Sequence, residues 1–148
     1  MGSHSVEQLY IPRAHFCEVV QSYVNTPFHH RGRTPGVQLD CAGVVVCGLE
    51  AFGLHVPDVL YGPSPTEAEL FDGLAAVADI KPLEQRQPAD VLAFEVGRAG
   101  AIHIGVYLGR SAHGTERVLH PTRRRHIGIH ALTTAETMRS CWQLRGVR

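Results

Sequence analysis

Between Asp40 and Gly53 lie Cys41, Val44, Val45, Val46, Cys47, Leu49 and Phe52, with Glu50 as the only charge. Asp40 suits a helix N-cap and Gly53 suits the residue just past a helix C-terminus. A helix that is apolar nearly all round cannot lie on a surface, so it must be central, with other elements wrapped around it. The β-branched run Val44-Val45-Val46 would also suit a strand, but the two end signals and the length favour a helix.

The rest of the chain supplies the wrapping. At 148 residues it has the length of one domain. A hydrophobic fraction of 44% is enough for a core without metal or disulfide. Ala14 to Val24 reads as an amphipathic helix with Phe16, Val19, Val20, Tyr23 and Val24 on one stripe. Asn25 to Leu39 shows no period, and a stretch of that length without one is usually functional when ordered. After a loop from His55 to Pro65, Thr66 and Glu69 form a capping-box pattern, with a helix expected to about Ala78. The remainder reads as strands: Asp90–Val96, Ala101–Leu108, Arg117–His120, Ile127–Leu132 and Cys141–Leu144, with a short helix near Thr134–Met138. Helices followed by a strand meander predict an α+β fold, its N-terminal helices packed on an antiparallel β-sheet. Residues 1–13 read as an N-terminal extension and residues 14–148 as a single domain.

Composition excludes several classes. Lys plus Arg and Asp plus Glu each number 14, which argues against a nucleic-acid binder that relies on bulk charge. Residues 1–74 carry three cations and eight anions and residues 75–148 carry eleven and six, an asymmetry that names no partner. No apolar run approaches the roughly 20 residues needed to span a membrane, and the N-terminus lacks a signal-peptide core, so a protein made in the cytoplasm without membrane insertion is expected. Cys17, Cys41, Cys47 and Cys141 show no C-x-x-C spacing and read as free thiols. His126 and His130 are four apart on a strand pattern, which is not a compact ligand set, so no metal is expected.

Chemistry converges on three residues. Cys41 falls at the first turn of the central helix, where unpaired N–H groups and the helix dipole favour a thiolate. The adjacent Asp40 works against this unless it is paired. His103 sits mid-strand, on the face opposite the aliphatic residues, with the small Gly105 beside it leaving room for another group. His120 ends the next strand. If the two strands pair with an even loop, their positions sum to an odd number and both His share a face. Nucleophile, base and orienting residue then make a Cys–His–polar triad. An odd loop would separate them.

The residues also carry a resemblance. Thr26-Pro27-Phe28-His29-His30-Arg31-Gly32 followed by Asp40-Cys41-Ala42-Gly43-Val44-Val45 resembles the NlpC-like cell-wall cysteine peptidases, which have a papain-like fold. Ala89–Phe94, His103–Gly109 and Val118–His120 resemble that family's later strands. The run R-G-R-x-P-G-V-x-x-D-C-A-G resembles the subgroup encoded with phage-tail or gene-transfer-agent genes. The resemblance implies a hydrolase of peptidoglycan stem peptides, often at a D-γ-glutamyl–diamino acid bond, with Cys41 as nucleophile, His103 as base and His120 as orienter, and no cofactor. It places Asp40, Phe28, His30 and Ala42 at the substrate, Asp40 with a share in holding its amine. It further implies a virion tail component acting on the host cell wall, with tail-tip proteins as partners.

Three residues depart from the family pattern: Ala42 where Ser is common, Phe28 where Tyr is common, and Asn25 where Gly is usual. They leave open a tail-tip structural protein that keeps the fold without the chemistry, and an amidase or acyltransferase using the same triad. Arg123-Arg124-Arg125-His126 reads as a solvated basic turn, and Tyr107 and Trp142 as packing residues.

Overall fold

The helix α1 (Arg13–Gln21) buries Phe16 and Val20 against α2 (Cys41–Glu50). The two approach closely because Gly48 lacks a side chain. A Cβ there would lie 2.9 Å from Phe16 Cε2 and from Val20 Cγ1. Asp40 caps α2 by accepting from the Gly43 N–H. At the other end Gly53 takes φ +82°, and the N–H groups of Gly53 and Leu54 return to the Glu50 and Leu49 carbonyls. Both end signals thus act as read, and Val44, Val45, Cys47 and Leu49 are buried. The computed structural model describes residues 10–57, 61–62, 65–96, 101–122, 124–132 and 137–148.

Two elements were unreadable from period alone. The segment after Asn25 holds a short hairpin of β1 (Arg33–Thr34) and β2 (Gln38–Leu39). The helix capped by Thr66 and Glu69, α3 (Glu67–Ala75), stops before Ala78, which instead opens β3 (Ala78–Lys81). The other strands are β4 (Val91–Val96), β5 (Ala101–Arg110), β6 (Glu116–Pro121), β7 (Ile127–Ala131) and β8 (Thr137–Leu144). The helix expected near Thr134–Met138 is corrected in part: Thr137 and Met138 begin β8, and residues 133–136 lie outside the described residues.

The six long strands form one antiparallel sheet in the order β3-β8-β4-β5-β6-β7. Alternation along the strands feeds two clusters. Val91, Ala93, Ile104 and Val106 join the helices in the main core, whereas Leu92, Phe94, Tyr107, Val118 and Cys141 form a second cluster. The expected α+β architecture is therefore present. The folded unit starts before residue 14: Ile11 is buried, its N–H bonds to Gly146 O, and Arg13 pairs with the buried Asp90. All four cysteines are free thiols. Among the described residues no helix is long and apolar enough to cross a membrane.

Candidate active site

Asp40 is the hub of the site, and its carboxylate is fully engaged. Oδ1 accepts from the Gly43 N–H and from Arg33 Nη1, each at 2.7 Å. Oδ2 accepts from the Arg31 N–H at 2.9 Å and from the Tyr61 hydroxyl. A carboxylate has about four acceptor positions, and these four donors occupy them. Asp40, expected to share in holding a substrate amine, is thus engaged by four donors of the protein itself. Arg33 also donates to the Tyr61 hydroxyl at 2.8 Å and so ties the three side chains together.

Cys41 follows directly and is half-buried. Backbone groups of Ile104, of Ala42 and of Cys41 itself, at the helix start, favour the thiolate. They are outweighed. Burial, then the Asp40 charge, push the thiol up to about 12. Of the two opposing effects read at this position, the helix start and the adjacent Asp40, the second prevails together with desolvation.

His103 lies opposite Phe94 in the β4–β5 ladder, and burial lowers its basicity below the usual imidazole value. The hairpin to His120 uses an odd loop, since Arg110 pairs with Glu116. That register alone would put the two His on opposite faces. A bulge between Tyr107 and Gly109 inserts one residue, and beyond it Tyr107 pairs with Val118 and Val106 with Leu119. The sum of paired positions becomes odd again, and the His103 and His120 rings lie on one face and meet edge-on with centroids 6.3 Å apart. The space beside Gly105 is taken by this packing rather than left for a ligand: a Cβ there would lie 2.6 Å from Val118 Cγ2 and 3.2 Å from His120 Cβ.

His120 is buried, and burial followed by the neighbouring His130 and His103 pushes its pKa down to about 3. Its Nε2 contacts Nδ1 of His130, and the two ring centroids are 4.0 Å apart. Its Nδ1 is buried with no hydrogen-bond partner among the described residues.

A cleft of about 540 Å³ opens where the start of α2 meets the start of β5. Phe28, His30, Asp40, Cys41 and His103 line it together. His120 sits behind His103 and does not line it, which fits a residue that acts through another. Ala42 does not line it either. The Ala42 side chain belongs to a separate, mainly apolar pocket of about 60 Å³ shared with Val46, Leu70 and Leu74, so only its backbone, which favours the Cys41 thiolate, bears on the site. Among the described residues no group of His, Cys, Asp and Glu is arranged to hold a metal ion.

The NlpC/P60 family matches residues 25–146, a span that contains every group named above. The chain belongs to the NlpC/P60 family. No curated protein sequence matches it, but solved structures do. The NlpC/p60 domain of the peptidoglycan hydrolase SagA aligns over 90% of this chain and 100% of its own, with TM-score 0.61 and 18% identity. A Staphylococcus aureus protein described as similar to lipoprotein, NLP/P60 family, aligns over 90% of this chain at TM-score 0.59 and 16% identity. NlpC1 from Trichomonas vaginalis covers 88% at TM-score 0.64 and 12% identity. This chain spans 40% and 44% of the lengths of the last two. At these identities the likeness is one of fold, and that fold is the papain-like one of NlpC/P60 domains.

Within this NlpC/P60 domain three side chains escaped the sequence reading. Tyr61 stands alone in a loop rich in Pro and Gly, with no periodic signal to mark it. His130 was seen only as i, i+4 from His126, whereas its neighbour is His120 across the β6–β7 ladder. Arg125 is exposed, as read, but it also lines the cleft with its guanidinium 5.9 Å from the Phe28 ring centroid.

Proposed function

We propose that this protein is a cysteine endopeptidase that hydrolyses peptidoglycan stem peptides, at a D-γ-glutamyl–diamino acid bond. The observation that carries the reading is the placement of Cys41 and His103 on one cleft, with Cys41 as the first residue of α2. The thiol rests protonated and His103 rests neutral. Attack therefore couples to proton transfer: as sulfur bonds to the substrate carbonyl carbon, His103 takes the thiol proton. The oxyanion lies against the Cys41 N–H at the start of α2. His103 then gives its proton to the leaving amine, and the C–N bond breaks to leave a thioester. Water, activated by the same imidazole, hydrolyses the thioester and restores the thiol. His120, backed by His130, orients His103 by edge-on ring packing.

We further propose that the protein works as part of a phage-like tail, with tail-tip proteins as partners and the host cell wall as its place of action. The support is the run from Arg31 to Gly43, which resembles the tail-associated subgroup. One observation favours a second reading, a tail-tip structural protein without activity: the thiol is held well above neutrality. Digestion of defined peptidoglycan fragments followed by mass spectrometry separates the two. New fragments that end at the D-γ-glutamyl carboxyl support the endopeptidase. Fragments carrying an added amine in place of water point to acyl transfer, and unchanged substrate supports the structural reading.

A further inference from the structure

The loop between β6 and β7 exposes Arg124 and Arg125 but is tied by backbone hydrogen bonds to the segment that carries Phe28. The Phe28 N–H bonds to Arg125 O at 2.8 Å, the Asn25 N–H to Ile127 O at 2.8 Å, and the Ile127 N–H to Thr26 O at 2.8 Å. Within the loop, the Thr122 N–H bonds to His126 O and the Arg125 N–H to Thr122 O. Arg125 itself adopts φ +61°, a left-handed conformation that is strained for a non-glycine residue. Such outliers persist where the surroundings fix them, and here the fixed residue is a cation at the cleft wall.

The charge balance of the wall is one-sided. Asp40 is the only acid among the described residues that line the cleft, and its acceptor positions are filled by Gly43, Arg33, Arg31 and Tyr61. Arg125 forms no ion pair with any described residue, and its guanidinium rests on Phe28. His30 adds a further donor to the same wall. A guanidinium beside an aromatic face in a partly enclosed cleft suits a planar carboxylate.

We infer that Arg125 reads a carboxylate on the substrate, so that the cleft selects peptides bearing a free carboxylate near the scissile bond and is indifferent to a free amino terminus. This rests on the peptidase reading above and names the substrate features that reading leaves open. In a stem peptide the group is the α-carboxylate of the γ-linked D-glutamyl residue, which exists as either the acid or the amide.

The test uses the full chain and four synthetic stem peptides, with the D-glutamyl α-group as carboxylate or carboxamide and the amino terminus free or acetylated. The wild type should favour the carboxylate over the carboxamide by about tenfold or more in kcat/KM, mainly through KM. Acetylation should change kcat/KM by less than about threefold, since Asp40 has no free acceptor. Arg125→Gln should collapse the carboxylate preference and Arg125→Glu should reverse it, whereas Arg124→Gln, altering an exposed neighbour, should keep it. Binding of the same peptides to Cys41→Ala, measured by calorimetry, should show the same order even if the wild type cleaves none of them. In that case the peptidase reading fails and the carboxylate reading stands. A preference that survives Arg125→Gln, a strong requirement for the free amine, or equal binding of acid and amide overturns the inference.

Discussion

Replacing Asp40 separates its two roles. Asp40→Ala removes the cap of α2 and leaves Arg33 without its carboxylate, so it should cost about 3 kcal/mol or more in a denaturant melt. Asp40→Asn keeps an acceptor for the Gly43 N–H but removes the negative charge beside the sulfur. That charge is one of the two main causes holding the thiol at about 12. The pH dependence of Cys41 alkylation by iodoacetamide should therefore move to lower pH in Asp40→Asn, and no movement would show that burial alone sets the thiol. His103 gives a second prediction. Its basicity is lowered by burial, and it must be neutral to accept a proton. The acid limb of kcat/KM should consequently fall below the usual imidazole value of 6.5, and a limb at or above 6.5 would contradict its assignment as base. Cys41 and His103 were legible because a helix start and an alternating strand are local patterns. The saturation of Asp40 was not, because Arg33 and Tyr61 reach it only after the loops fold, and their reach leaves no periodic trace.

At the scale of elements, the site depends on how β5 and β6 align. The five-residue loop from Ser111 to Thr115 gives the wrong parity, and the bulge between Tyr107 and Gly109 reverses it. A hairpin's face assignment therefore cannot be read from loop length alone, since a single unpaired residue turns every later side chain over. Gly105 is where this packing is tightest. Gly105→Ala would press on Val118, on Leu119 O and on the Cβ of His120. It should lower stability by about 1–3 kcal/mol, read from a thermal melt, and reduce kcat as well by moving His120 from behind His103. A neutral result would mean that β6 is free to shift and is not what places His120. The ends of α2 and the capping box of α3 were legible for the opposite reason: each is fixed by residues within a few positions of one another.

For the whole molecule, two imidazoles, His120 buried and His103 partly so, link stability to pH. His120 has its pKa pushed from 6.5 down to about 3, and that of His103 is lowered as well. Both are neutral when folded and protonate first in the unfolded chain. The contribution of each is complete above about pH 6.5 and is lost as pH falls through its folded value, about 3 for His120, with a limiting slope of about 1.4 kcal/mol per pH unit for each group. Melting temperature should decline through that window, and His120→Gln should flatten the decline. The order of the sheet was the least legible feature at this scale. β3 pairs with β8, joining Ala78 to Leu144, and nothing local signals a contact between residues so far apart. The helix-then-strand succession was enough for the α+β class, since that depends on which elements follow which and not on how the sheet closes. The central claim is that Cys41 is the nucleophile of a peptidase cleft. Its most direct test is cleavage of one defined stem peptide by the wild type and by a folded Cys41→Ala variant. The account predicts that the variant loses about ten-thousandfold or more of kcat/KM, whereas undiminished cleavage by that variant would contradict it.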